Sequence, residues 1–136
     1  MDLKVHTLNQ KMVDDLKLFS NKLKAEGVAT RIAHLKQLKK NIHKAEDQII
    51  EALRADLGKP EFESYTSEIL MVQKEIDLFI KNLKNWAAPK RVSGSLLNFP
   101  SQDFILSEPY GSVLIISPWN YPFQLAMIPL IGAVAA

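Results

Sequence analysis

The sequence predicts an α/β protein built from three unlike parts. They are an N-terminal helical region, a short β-ribbon, and the first strand and helix of a sheet domain that is incomplete. Three observations lead there. Charge is crowded into the first ninety residues, while Pro109 to Ala136 contains no Asp, Glu, Lys or Arg. The hydrophobic spacing changes from intervals of three and four to an unbroken aliphatic run, VLII, at Val113 to Ile116. Between the two textures lies a cluster of turn formers: Ser93, Gly94 and Ser95, then Asn98, Pro100 and Ser101.

Composition narrows the function classes. With 136 residues the chain has the length of one ordinary domain, and 47% hydrophobic with 24% charged residues is a soluble globular balance. A net charge of +2 is too small to argue for a nucleic-acid partner. The basic run HLKQLKKNIHK interleaves Leu35, Leu38 and Ile42 at helical spacing, so its lysines form the solvated back of an amphipathic helix. There is no cysteine, which excludes disulfides, thiolate metal sites and a cysteine nucleophile within these residues. His6, His34 and His43 are scattered, with no carboxylate or second imidazole at ligand spacing, so no metal site is expected. The first ten residues are polar and mixed in charge, unlike a secretory leader, and a cytoplasmic location is the default.

Three helices are expected first. Leu8, Met12, Leu16, Phe19 and Leu23 share one face, and Gly27 stops that helix. A second starts near Thr30 as N-cap and carries Ile32, Leu35, Leu38, Ile42, Ile49 and Leu53. Gly58-Lys59-Pro60 ends it, because Gly accepts positive φ and Pro cannot continue a helix. The third, from about Glu61 to Trp86, sets Phe62, Tyr65, Ile69, Val72, Ile76, Phe79 and Leu83 on one stripe. That stripe suits packing in a globule better than a short coiled coil.

Beyond Pro89, Val92 to Leu97 and Phe104 to Leu106 are expected to pair as a ribbon, too small to be stable alone. VLII has the character of a strand buried on both faces. Pro122 suits the first turn of the helix that follows, and Pro129 has no N–H for the carbonyl of Leu125. The uncharged run also raises a membrane segment, but Pro118, Pro122 and Pro129 interrupt it and Asn120 and Gln124 are polar. A buried strand and helix fit better. One strand alone cannot satisfy its backbone groups, so something else is expected to cover the last thirty residues.

The segment SPWNYPF, Ser117 to Phe123, falls at the carboxyl end of the expected strand, where ligands bind in open α/β sheets. Asn120 there has two roles open to it. It caps the following helix, as Asn favours, or it presents an uncharged, non-titrating NH₂ donor to charge that develops in a reaction.

EPYGSVLIISPWNYPFQLAMIPLIGAVAA strongly resembles the start of the cofactor domain in the NAD(P)-dependent aldehyde dehydrogenase superfamily. ALRADLGKPEFESYTSEI is similar to its class 3 and fatty aldehyde dehydrogenase branch, and the resemblance covers about Arg31 to Ala136. It implies that Asn120 stabilises the oxyanion formed when a cysteine thiolate attacks an aldehyde. It further implies that Ser117, Pro118 and Trp119 line the nicotinamide-ribose side of a Rossmann-like NAD or NADP site, and that Tyr121 lies near the substrate tunnel. Tyr121 as plain packing with a wet hydroxyl stays open beside that.

By the same resemblance, residues 1–90 are the helical region packed on the cofactor domain. Residues 91–110 are the ribbon of the bridging, oligomerisation region, and 111–136 the first strand and helix of the NAD(P) domain. In the family GAVAA is followed by Gly-Asn, a lysine-containing strand, a glycine turn, a glutamate base and the cysteine, none of which is in these residues. The expectation is an N-terminal fragment, inactive and without cofactor affinity by itself, of a mostly dimeric enzyme that oxidises aldehydes to acids. The alternative is a non-catalytic helical interaction module, or dehydrogenase remnant, that binds a protein partner or a membrane surface.

Overall fold

The structure, a computed structural model, describes residues 2–94, 97 and 99–136, with side chains from Gln10 onward. Helices α1 (Asp2–Ala25), α2 (Val28–Lys44) and α3 (Glu46–Leu57) come first. A helical stretch in three contiguous pieces follows: α4 (Glu61–Ser64), a π-helical turn (Tyr65–Ile69) and α5 (Leu70–Trp86). Two short strands, β1 (Lys90–Val92) and β2 (Asp103–Ile105), precede α6 (Pro122–Ala135).

The core lies where α2, α5 and α6 meet. Leu35 and Ile42 of α2, Val72, Ile76 and Leu83 of α5, and Ile131 and Ala135 of α6 are all buried there, with Ile50 of α3 and Ile69 of the π turn. The lysines of the basic run stand on the far side of α2, with Lys36, Lys40 and Lys44 exposed. Lys39 reaches across to Asp77 of α5 at 2.6 Å.

Local signals placed most boundaries. Gly58 adopts φ 65° and its N–H closes on the Arg54 carbonyl, the left-handed stop expected of the glycine in GKP. Pro122 occupies the first turn of α6. The second expected helix differs in two ways. It starts at Val28, with Gly27 and not Thr30 at the N-cap, so Gly27 opens α2 at φ −71°. It is also divided at Ala45, whose φ −97° and ψ 8° leave the α region while its N–H still meets the Asn41 and Ile42 carbonyls.

The third helix widens in its second turn. Thr66 and Ser67 donate their hydroxyls to the Phe62 and Glu63 carbonyls at 2.7 and 2.6 Å, supplying donors where the i to i−4 ladder opens. A π turn advances less per residue than an α turn, so the phase of the stripe slips. Phe62, expected on the buried face, is therefore 80% exposed, while Ile69, Val72 and Ile76 remain in the core.

The ribbon is antiparallel and pairs Lys90 with Ile105, Arg91 with Phe104 and Val92 with Asp103. Its first strand thus begins two residues before the expected Val92. Ser95, Leu96 and Asn98 lie outside the described residues.

Two expected burials are not seen. VLII has no regular secondary structure and forms no ladder among the described residues, and Leu114 and Ile116 are each 84% exposed. A strand buries both faces only between neighbours and covering helices, and the described residues provide neither. On α1, Met12, Leu16 and Phe19 are exposed; the side chain of Leu8 is outside the described residues. Leu16, Phe19 and Leu23 face a cavity of about 780 Å³, bounded opposite by Phe79, Leu83 and Trp86. The fold is accordingly a mostly helical assembly with a two-stranded sheet, consistent with an incomplete α/β domain. Among the described residues no helix is long and apolar enough to cross a membrane.

Candidate active site

Ser117 and Pro118 have no regular structure, and the chain bends through Trp119 to Tyr121 into α6. Proline flanks the turn on both sides, and its fixed φ near −65° limits how far the backbone between can move. Ser117 is half-buried, whereas Pro118, Asn120 and Trp119, the last 85% exposed, face outward. No residue from Ser117 to Asn120 makes a hydrogen bond to another described residue.

The capping role open to Asn120 falls elsewhere. Tyr121 is the N-cap of α6 and makes no side-chain cap bond. The first free N–H groups of the helix go to a carboxylate far back in the chain. Oε2 of Glu68 accepts from the N–H of Phe123 at 2.9 Å and of Gln124 at 3.3 Å. The anion sits at the positive end of the helix dipole, where it is favoured.

Glu68 is completely buried, and its other oxygen accepts from Lys59 Nζ, itself only 8% exposed. The same ammonium lies 4.0 Å from the centroid of the Tyr121 ring, within cation–π range. The GKP turn and the π turn, near each other in sequence, meet the distant start of α6 at these contacts.

Sequence reasoning missed Lys59 and Glu68. A signal was present. Ser64, Glu68, Val72 and Ile76 recur at intervals of four and none has any exposed surface, so Glu68 is an acid on an otherwise inward stripe. Lys59 was hidden within a motif that already had a conformational explanation. Tyr121, on the substrate side by resemblance, is here engaged with Lys59. The cavity beside α1 does not coincide with this region, since no residue from 117 to 121 lines it.

The unbonded backbone from Ser117 to Trp119 is open to a ribose or a nicotinamide. The N-terminus of α6, where a phosphate would otherwise be favoured, is filled by the Glu68 carboxylate, and a pyrophosphate does not fit there. Among the described residues there is no group of His, Cys, Asp and Glu able to hold a metal. His43 does meet a carboxylate, contrary to expectation, with Nδ1 3.5 Å from Glu46 Oε2 on the exposed side of the α2–α3 junction.

Comparison with known proteins identifies the family. The profile of the Aldehyde dehydrogenase family matches residues 10–136. The chain therefore belongs to the aldehyde dehydrogenase family, which is NAD(P)-dependent. Within it the similarity is to class 3 members. The chain is 46% identical over 132 residues to 4,4'-diaponeurosporen-aldehyde dehydrogenase of Staphylococcus aureus, covering 97% of this chain and 28% of that protein. It is 47% identical over 110 residues to aldehyde dehydrogenase family 3 member H1 of Arabidopsis thaliana, covering 81% of this chain and 23% of that one. A solved structure described as the substrate-bound state of Staphylococcus aureus AldH superposes with a TM-score of 0.88 at 46% identity, over 94% of this chain and 28% of the other. The chain thus spans about a quarter of the length of the relatives it matches, consistent with a fragment. An interaction module of another class is not favoured.

Proposed function

We propose that these residues serve a class 3-like aldehyde dehydrogenase that oxidises aliphatic or aromatic aldehydes to carboxylic acids. In this reading Asn120 is one donor of its oxyanion hole. The observation that carries it is the state of Asn120: an exposed amide, unbonded to any described residue, on a proline-bracketed turn whose helix is capped by another side chain. An amide so placed has its N–H free for a ligand oxygen. It carries no charge to stabilise the ground state unduly.

The thiolate that attacks the aldehyde, and the base that activates water on the resulting thioester, come from outside these 136 residues, which contain no cysteine. NAD or NADP accepts the hydride when bound. Ser117, Pro118 and Trp119 would line its nicotinamide-ribose side, and Tyr121 would border the aldehyde tunnel. Residues 1–90 pack on the cofactor domain, residues 91–110 enter the subunit contact of a homodimer, and the enzyme is cytoplasmic.

Asn120→Ala in the intact enzyme tests the central role. Steady-state aldehyde oxidation should show kcat reduced by about 10²–10³-fold, the usual effect of losing one oxyanion donor. Cofactor affinity measured by fluorescence titration should hardly change. An unaltered kcat would remove Asn120 from the role.

A further inference from the structure

We propose that Lys59 and Glu68 are positioning residues for Asn120, holding the turn that carries it against the helical core and thereby setting where its amide points. This rests on the oxyanion role proposed above. Asn120 makes no hydrogen bond of its own to a described residue, so its direction is inherited from the backbone on either side. Prolines restrict that backbone but tie it to nothing. The ties come immediately after Asn120. The Tyr121 ring lies under the Lys59 ammonium at 4.0 Å, and the N–H groups of Phe123 and Gln124 are held by Glu68 Oε2.

Both anchors are rooted in the core. Glu68 has no exposed surface and stands beside Ile69 and four residues before Val72, both fully buried. Its two oxygens are divided between the two duties, Oε1 toward Lys59 and Oε2 toward α6. Lys59 is held between Glu68 and Tyr121, so movement of either side chain is felt by the other. Bonds with an ionised partner are stronger and more directional than neutral ones. A buried ion pair contributes little net stability but is well suited to fixing one arrangement among several. Here the arrangement fixed is the register of the Trp119 to Tyr121 turn relative to the bundle.

The test uses the intact enzyme. Glu68→Gln keeps volume and one acceptor while removing the charge shared by Lys59 and α6, and Lys59→Met keeps the stem and removes the cation. Each should lower kcat for aldehyde oxidation by about 10-fold or more, as ångström-scale misplacement of a reacting group does. KM for the cofactor should change by a smaller factor than kcat, since Ser117 and Pro118 lie before the anchored turn while Asn120 lies within it. Lys59→Arg, which retains charge and stacking on an aromatic face, should restore most of kcat. In an Asn120→Ala background, Glu68→Gln should cause almost no further loss, because the two act as a unit.

Amide hydrogen exchange separates anchoring from catalysis. Glu68→Gln should reduce protection at Phe123 and Gln124 while the amides of α2 and α5 keep theirs. Unchanged kcat in both variants, equal losses with and without Asn120, or unchanged protection at Phe123 would each overturn the positioning role. If Asn120→Ala alone leaves kcat intact, the oxyanion role fails and this proposal with it. If Asn120→Ala is impaired and Glu68→Gln is not, only the positioning role fails.

Discussion

The Glu68 carboxylate accepts the backbone N–H of Phe123 at 2.9 Å across 55 residues of sequence. With the bond from Gln124 to the same oxygen, it ties the helical region to the segment that carries the candidate site. It makes the first prediction one of stability. Glu68→Leu strands a buried Lys59 and should cost about 3–5 kcal/mol, the usual penalty for breaking a buried pair from one side. Pairing it with Lys59→Met should recover part of that loss. The double variant should still lie about 1–3 kcal/mol below the native protein, because two helix N–H groups remain without an acceptor. Urea denaturation of the two single variants and the double gives the comparison. A double variant no more stable than Glu68→Leu would mean that the pair is not coupled.

Gly58 offers a purely conformational test. At φ 65° no atom lies within 4 Å of a Cβ built there, so space is not the constraint. Gly58→Ala should cost about 1–2 kcal/mol, from the left-handed backbone alone. Gly58→Asn should cost less, as Asn tolerates that region. The order of melting temperatures should be native, Asn variant, Ala variant.

Core and surface contributions to the α2–α5 contact should separate cleanly. Ile76 is fully buried, and Ile76→Ala should cost about 2–5 kcal/mol irrespective of salt. The Lys39–Asp77 pair, at 2.6 Å, has side chains 39% and 57% exposed. Lys39→Ala should cost no more than about 1 kcal/mol, and the cost should shrink further at high salt. A larger effect at Lys39 than at Ile76 would contradict the packing described.

The 136 residues expressed by themselves should bind hydrophobic dyes. Leu106, Leu114, Ile116 and Trp119 are exposed over a short span of sequence, and exposed apolar side chains that cluster are what such dyes bind. Leu114→Lys together with Ile116→Lys should reduce the fluorescence enhancement. A monodisperse species on gel filtration that binds no dye would count against an uncovered strand.

What the sequence by itself determined was much of what is decided within a turn or two of helix. Gly58 took the left-handed stop, Pro122 the first turn of α6, and Ile69, Val72, Ile76 and Leu83 one buried stripe, because each choice depends on neighbours three or four residues away. The motif around Asn120 was equally local, and it was enough for the family. The break at Ala45 and the π turn at Tyr65–Ile69 escaped, since both leave the apolar spacing nearly intact while changing its phase. VLII was legible as a strand by character but had no ladder, because pairing is a property of neighbours and not of the run itself.

Only the tertiary structure decided what holds the candidate site. Nothing local marks Glu68 as the cap of a helix that begins at Pro122. The assignment exists because α2, α5 and α6 pack together and leave two N–H groups facing a buried carboxylate. Burial then makes the choice strict. An acid in that position without Lys59 and the helix end would be an unpaired charge in the core, and a helix end without it would lose two hydrogen bonds.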